Sequence, residues 1–305
     1  MKSEQDKLVV GIGEVVWDIF PDGPHLGGAP ANFVYYTQLL GLRSILITRV
    51  GEDELGKETL KQLSSHNMIT DYIQVDKNHP TGTVRVELDS NGVPTFTIEQ
   101  NVAWDYLEKN DILKSIAQQA SAICFGSLAF RSSPSRGTID WFLTQAKPDC
   151  LRVLDINLRP PFYSPELLDW LLRKADILKL NDGELKTIGR LFYPKLSGET
   201  FLCRKLISDY QIKLVALTKG EKGSLLITAD KESTHPGFLI KVVDTVGAGD
   251  SFTAALVIGL LSGKELDRIN QNANWLASLV CSQKGAWVQV ASTVPGENSK
   301  LKSLE

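Results

Sequence analysis

Apolar positions recur along this chain in two periods, and the alternation between them outlines an architecture. Leu8 to Ile12 is a short apolar run closed by Gly13, and Ser44 to Val50 is a second. The segment from Ala31 to Leu40 between them has helical spacing, so the three predict one βαβ unit. Between residues 71 and 98 the pattern changes. TGTVRVELD, the turn dipeptide Asn91-Gly92 and VPTFTIE alternate as an antiparallel hairpin does, predicting a small β appendage. From Ser121 the strand segments AICFG, LRVLDI, ADILKL, KLVALT and GSLLIT are separated by stretches long enough for helices. That order predicts an α/β fold with a doubly wound, mainly parallel sheet covered by helices on both faces. Two final helices are expected over 248–261 and 266–283, with Gly263 as the stop between them. No repeat or low-complexity linker divides the chain, so residues 1–305 are expected to form one domain.

Composition narrows the function classes. With 43% hydrophobic and 23% charged residues the chain has an ordinary globular make-up. Lysine and arginine number 33 against 36 acidic residues, a net charge of -3, so no basic field invites nucleic acid. Cys124, Cys150, Cys203 and Cys281 are far apart and form no C-x-x-C pair, and they are expected to be reduced, buried thiols. His25, His66, His79 and His235 show no metal-hydrolase spacing. The polar N-terminus and the lack of a long apolar run lead to the expectation of a cytoplasmic protein with no membrane partner.

Two glycine-rich segments carry the chemistry. In DTVGAGDSFTAAL, the small residues Gly247, Ala248 and Gly249 leave backbone N–H groups unobstructed at the mouth of an apolar helix, a site for an anion. Asp250 follows them and would stand beside that anion; the plainer alternative is a tight turn with a first-turn acid complementing the helix dipole. In LGGAPAN, Gly27 and Gly28 open a helix near Pro30, and Asn32 can both donate to and accept from a polyol. Dinucleotide and P-loop signatures fail: Gly11-Ile12-Gly13 is followed by Val16 where glycine is needed, and no G-x-x-x-x-G-K-[ST] occurs. Arg159 follows a strand end, where open α/β sheets place ligands, and its planar fork suits phosphate or a sugar oxygen; a surface salt bridge is the alternative.

Together, GGAPAN and DTVGAGDSFTAAL resemble the two signatures of the ribokinase-like (PfkB) carbohydrate kinases, in the family's order and over nearly the whole chain. GEVVWDIFPDG, LGGAPANF, DINLRPPFY and Ala103-Trp104-Asp105 look most like the bacterial fructokinase branch. The resemblance implies a ribokinase-like fold whose β-sheet lid comes from about residues 14–25 and 70–100, with a homodimer formed through the lid. It implies an ATP-dependent sugar kinase, D-fructose to fructose 6-phosphate, with ribokinase, 2-keto-3-deoxygluconate kinase, nucleoside kinase or an inactive sensor as alternatives. On that pattern Asp250 is the catalytic base and the N–H groups of Gly247 to Asp250 form the anion hole. Asp18, Gly27, Gly28, Asn32 and Arg159 hold the sugar. Asn181 and Glu184 resemble the N-x-x-E element, with Glu184 acting on Mg²⁺ through water; without the family they read as a helix N-cap with an acid at N3. Thr218, Gly220 and Gly223 resemble the loop along ATP, which also reads as a plain turn between strands, and Asn274 stands where the family meets adenine or ribose. Asp244 and Val246 are where the family binds K⁺. Val34 departs from the first signature's small residue, and Val16 replaces the asparagine that binds ribose in ribokinases, which argues against ribose. The position of Asp250 at a helix N-terminus predicts a lowered proton affinity and an ionised carboxylate at neutral pH.

Overall fold

The computed structural model describes residues 7–20, 23–88 and 94–290. Its main sheet has eight strands: β1 (Leu8–Ile12), β4 (Arg43–Ile47), β9 (Ala120–Gly126), β10 (Leu151–Asp155), β11 (Ile177–Asn181), β12 (Leu214–Thr218), β13 (Ser224–Ile227) and β14 (Glu232–His235). They lie in the order β14-β13-β12-β11-β10-β9-β1-β4. The six from β12 to β4 are parallel, and β13 and β14 extend the sheet antiparallel.

Alternation along the strands sends side chains to two separate cores, as period-2 geometry requires. Val10 and Ile12, Ile123 and Phe125, and Leu178 and Leu180 join the core under α3 (Asp111–Gln119), α4 (Ser133–Gln145), α5 (Pro165–Leu172), α6 (Asp182–Phe192) and α7 (Glu199–Tyr210). Val9, Ala122, Cys124, Val153 and Ile177 face α1 (Ala29–Leu39), α8 (Ala248–Leu261) and α9 (Leu266–Cys281). On this second face the next positions along β10 and β11 are Asp155 and Lys179, which are register partners. The fold therefore delivers a charged pair to the N-terminus of α8.

A second sheet of four strands, β3-β2-β7-β8, is built from β2 (Val16–Phe20), β3 (Gly23–Gly27), β7 (Thr83–Leu88) and β8 (Pro94–Ile98). It packs through Val16 and Val84 against Trp104, in the turn after β8, and against Leu128 and Phe162, in the loops that follow β9 and β10. The hairpin expected within 71–98 is present as β7 and β8, while its Asn91-Gly92 turn lies outside the described residues. The segment 44–50, which reads as one strand, is two: β4 ends at Ile47, and β5 (Arg49–Gly51) leaves the main sheet to pair with β6 (Gln74–Asp76). Buried Arg49 makes ion pairs with Asp76 and Glu108, which holds β5 in its separate ladder. Cys124, Cys150 and Cys203 are buried free thiols as expected, and Cys281 is half-buried. Among the described residues no helix is long and apolar enough to cross a membrane.

Candidate active site

The site forms where α8 begins. Gly247, its N-cap, has φ 77 and ψ -5, a left-handed conformation that glycine adopts without steric cost. A Cβ there would also stand 2.9 Å from the Ala286 carbonyl oxygen. The Ser251 N–H closes the first turn on the Gly247 carbonyl at 2.9 Å, leaving the N–H groups of Gly249 and Asp250 as unpaired donors of the helix start. The Ala248 N–H turns back to the Thr245 carbonyl at 3.3 Å, a long bond. Gly249 lies directly on Lys179: a Cβ would sit 2.8 Å from Nζ and would have to displace the ammonium.

Lys179 is buried and pairs with both Asp155 oxygens, at 3.1 and 3.0 Å. Thr253 Oγ1 donates to Asp155 Oδ2 at 3.0 Å. Burial pulls the lysine's pKa down, but Asp155, Glu184 and Asp250 together raise it above the usual value, so the ammonium stays charged below the anion site. Nothing in the two signatures marks Lys179. Its signal is a lone charge inside the apolar strand ILKLN, and its partner is visible only once the register of β10 and β11 is known.

Asp250 Oδ2 accepts a hydrogen bond from Asn32 Nδ2 at 2.7 Å, joining the two glycine-rich segments across 218 residues. The proton affinity expected from the helix N-terminus alone is overturned. Desolvation, reinforced by Asp155, raises the Asp250 pKa to about 6, against the lowering influence of Asn32, Lys179 and Arg159. The carboxylate is still the main form at pH 7.

Gly28, the N-cap of α1, has φ 114 and packs so closely on the backbone of Glu14 and Val15 that a Cβ would meet the Glu14 carbonyl at 2.7 Å. Gly27 approaches Asp18 Oδ2 similarly, at 3.1 Å from a built Cβ. Asp18 has its pKa raised by burial, and Arg159 and His25 work against that rise. Arg159 is exposed, and its charge lowers the proton affinity of Glu14, Asp18 and Asp250 alike. Glu14, unmarked in the sequence reading, is buried with Oε2 lacking a hydrogen-bond partner, and burial raises its pKa to about 7. A separate cavity of about 540 Å³ lies among Arg131, Arg136, Phe162 and Trp170, and none of these sequence-assigned residues lines it.

The remaining candidates divide. Asn181 and Thr218 are register partners at adjacent strand ends, and the turn carrying Gly220 and Gly223 follows. Gly220 has φ 56 and open space above it; Gly223 is packed so tightly on His235 and Gly237 that it serves the turn itself. Glu184 and Asn181 form the reciprocal helix cap, and Glu184 Oε1 also accepts the Leu158 N–H at 2.9 Å, pinning the loop that carries Arg159. Asp244 fastens its own loop, accepting from Val246 N–H at 3.1 Å and Gly285 N–H at 2.9 Å. Asn274 is not at the opening: it is buried, and its amide donates to Ser224 and Asn270, tying α9 to β13.

Comparison with known proteins identifies the family and the fold. A sugar kinase of Pyrococcus horikoshii is 32% identical over 98% of this chain and 96% of its own length. Its crystal structure superposes with a TM-score of 0.80, over 92% of this chain and 94% of that one, at 30% identity. The fructokinase of Escherichia coli is 30% identical over 90% of this chain and 93% of its own. A fructokinase of Vibrio cholerae, solved with fructose, ADP and potassium bound, is 26% identical with a TM-score of 0.80, covering 94% and 96% of the two chains. The family model for pfkB family carbohydrate kinases matches residues 22–291, and the chain is accordingly a sugar kinase of the PfkB family with the ribokinase-like fold.

Proposed function

We propose that this protein transfers the γ-phosphoryl group of ATP to a hydroxyl of D-fructose, with Asp250 as the general base. The observation that carries this reading is the placement of one half-buried carboxylate, held by Asn32 at 2.7 Å, directly beside the unpaired N–H groups that open α8. Phosphoryl transfer needs alignment and charge neutralisation more than covalent chemistry. As the sugar oxygen bonds to phosphorus and the bond to the ADP oxygen breaks, the hydroxyl proton passes to Asp250. Lys179 beneath Gly249 and the exposed Arg159, whose charge acts on Asp250, would oppose the charge gathering on the transferring group. With a pKa of about 6, Asp250 is ionised enough to accept a proton at pH 7, so kcat should rise through pH 6 and level off above it.

The residues suit the nucleotide. Leu239, Val242, Val243 and Val246 are exposed together on the loop leading to α8, an apolar face for a base, and the open space over Gly220 would admit its phosphates. Among the described residues no three His, Cys, Asp or Glu side chains are arranged to hold a metal ion by themselves, and Mg²⁺ would be held largely by phosphate and water. Glu184 would reach it through water. The ion would draw charge from the phosphate oxygens. A K⁺ ion would lie against Asp244 and the carbonyls near Val246. Asp18 and the Gly27–Gly28 turn would hold the sugar, and the second sheet would cover it and exclude water.

Fructose is favoured by the fructokinase relatives and by Val16 in place of a ribose-binding asparagine. The test is ATP consumption across fructose, ribose, 2-keto-3-deoxygluconate, adenosine and fructose 1-phosphate. Fructose should give the highest kcat/KM, with phosphate on O6. A win for ribose or adenosine would overturn the substrate, and no ATP-dependent phosphorylation of any acceptor would overturn the kinase reading.

A further inference from the structure

Asn32 has a second partner outside both glycine-rich segments. Trp287 Nε1 donates to Asn32 Oδ1 at 2.8 Å, while Asn32 Nδ2 donates to Asp250 at 2.7 Å. Trp287 lies in the extended segment after α9, which two tyrosines of α1 stitch down. Tyr36 Oη donates to the Ala286 carbonyl at 2.6 Å, and Tyr35 Oη to the Val288 carbonyl at 3.2 Å. The indole stacks on Tyr35, with centroids 5.4 Å apart and planes at 14°, and meets the edge of His66 at 4.9 Å. Its N–H is thereby aimed by packing on both sides.

The polarity of this chain follows from donor chemistry. A carboxamide fits its pocket equally well in either flip, and flipped it would turn its oxygen toward the Asp250 carboxylate. An indole N–H only donates, so it accepts only the amide oxygen as a neighbour and commits the NH₂ group to Asp250. We propose that Trp287 is a positioning residue for phosphoryl transfer: it fixes the flip of Asn32 and so keeps the base both aligned and ionised. This inference rests on the base role given to Asp250 above. The other groups acting on Asp250 are Asp155 on β10, Lys179 on β11, Arg159 after β10, Glu14 after β1, Cys124 on β9 and Tyr36 on α1. None of them is changed by a substitution at 287.

Trp287→Phe keeps a stacking ring and removes the N–H. Losing the fixed donor to a charged acceptor corresponds to about 0.5–1 pH unit in the pKa of Asp250. The acid limb of kcat should move up by that amount, giving about a two- to sixfold loss at pH 6, while the alkaline plateau falls by no more than about threefold. Trp287→His retains an N–H donor and should restore the limb. In an Asn32→Ala background Trp287→Phe should move nothing further. The same shift should be seen without turnover, by NMR titration of ¹³C-labelled aspartate with the Asp250 signal assigned through Asp250→Asn. A limb and an Asp250 titration both unmoved in Trp287→Phe overturn the positioning role whether or not the wild type phosphorylates sugar. Loss of kcat by one factor at every pH, with an unmoved titration, also overturns it, as an effect of packing alone. Absence of wild-type phosphorylation with a shifted titration instead sinks the function and leaves the hydrogen-bond chain standing.

Discussion

Replacing Asp250 by asparagine should produce two opposite effects of calculable size. The amide is nearly isosteric and its oxygen still accepts from Asn32, but it takes no proton from the attacking hydroxyl. Loss of a positioned general base costs about 10²–10⁴-fold in kcat, or roughly 3–5 kcal/mol of transition-state stabilisation. The stability effect runs the other way. The Asp250 pKa stands at about 6 in the fold against 3.8 for an ordinary aspartate, because burial and Asp155 disfavour its charge. A folded-state pKa raised above the unfolded value gives stability that is complete below pH 3.8 and lost as pH rises through 6. The ionised residue therefore costs the fold about 3 kcal/mol at neutral pH. Asparagine carries no such charge, so the variant should melt higher than wild type by roughly 4–8 °C at pH 8. The two melting temperatures should converge near pH 4, where both side chains are neutral. ATP affinity should be retained, because the α8 donors are backbone groups. The assay is kcat, ATP Kd and melting temperature against pH on one preparation. Turnover within about tenfold of wild type would remove Asp250 from the chemistry, and a melting gap equally large at pH 4 and pH 8 would refute the desolvation argument.

Lys179→Met should lower stability by about 3–5 kcal/mol, since it leaves Asp155 buried without its cation, and thermal or urea unfolding would measure it. Gly249→Ala should reduce kcat at least tenfold, because the methyl group would need the space 2.8 Å from Lys179 Nζ, where the ammonium is anchored by Asp155; steady-state kinetics at saturating ATP would check it. Glu14→Gln should raise the melting temperature at pH 8 and lose that advantage toward pH 4.5, because the Glu14 pKa of about 7 implies stability that is lost as pH rises through 7. K⁺ should stimulate turnover through the Asp244 loop, and equal rates in K⁺ and in a large organic cation at matched ionic strength would dismiss that site.

How far the sequence could be read depended on whether a feature is local. A glycine whose φ must be positive, such as Gly247, and an acid in the first turn of α8 are written within a few residues, so the turn that opens α8 was legible without coordinates. The hairpin of β7 and β8 and the parallel order of the strands were legible for the same reason: alternation and spacing are local signals. Where one apolar run serves two ladders, the signal gives out. Residues 44–50 read as one strand because the break at Thr48 is made by partners elsewhere, with Gln74 N–H donating to the Thr48 carbonyl and Asp76 drawing Arg49 aside. The short polar strand β14 has no apolar alternation to find and forms only because β13 presents an edge.

The electrostatics of the site lay beyond local reading for a sharper reason. Beside the α8 N-terminus, three carboxylates, Glu14, Asp155 and Asp250, come from three different strand ends or helix starts. A helix dipole read from sequence lowers the proton affinity of Asp250, yet desolvation by the packed fold turns the balance the other way, reinforced by Asp155, 95 residues distant along the chain. The cation that offsets them, Lys179, is aimed by nothing except strand register, since a slip of one residue between β10 and β11 would send it to the opposite core. Asn32 shows the same dependence at its other end. The sequence identifies an amide able to donate and accept, and the distant indole of Trp287 donates to its oxygen and leaves its NH₂ group to Asp250. Sign and direction at this site are thus properties of the packed sheet, while the glycine turns and the Asn32 and Asp250 side chains they present are properties of two short segments.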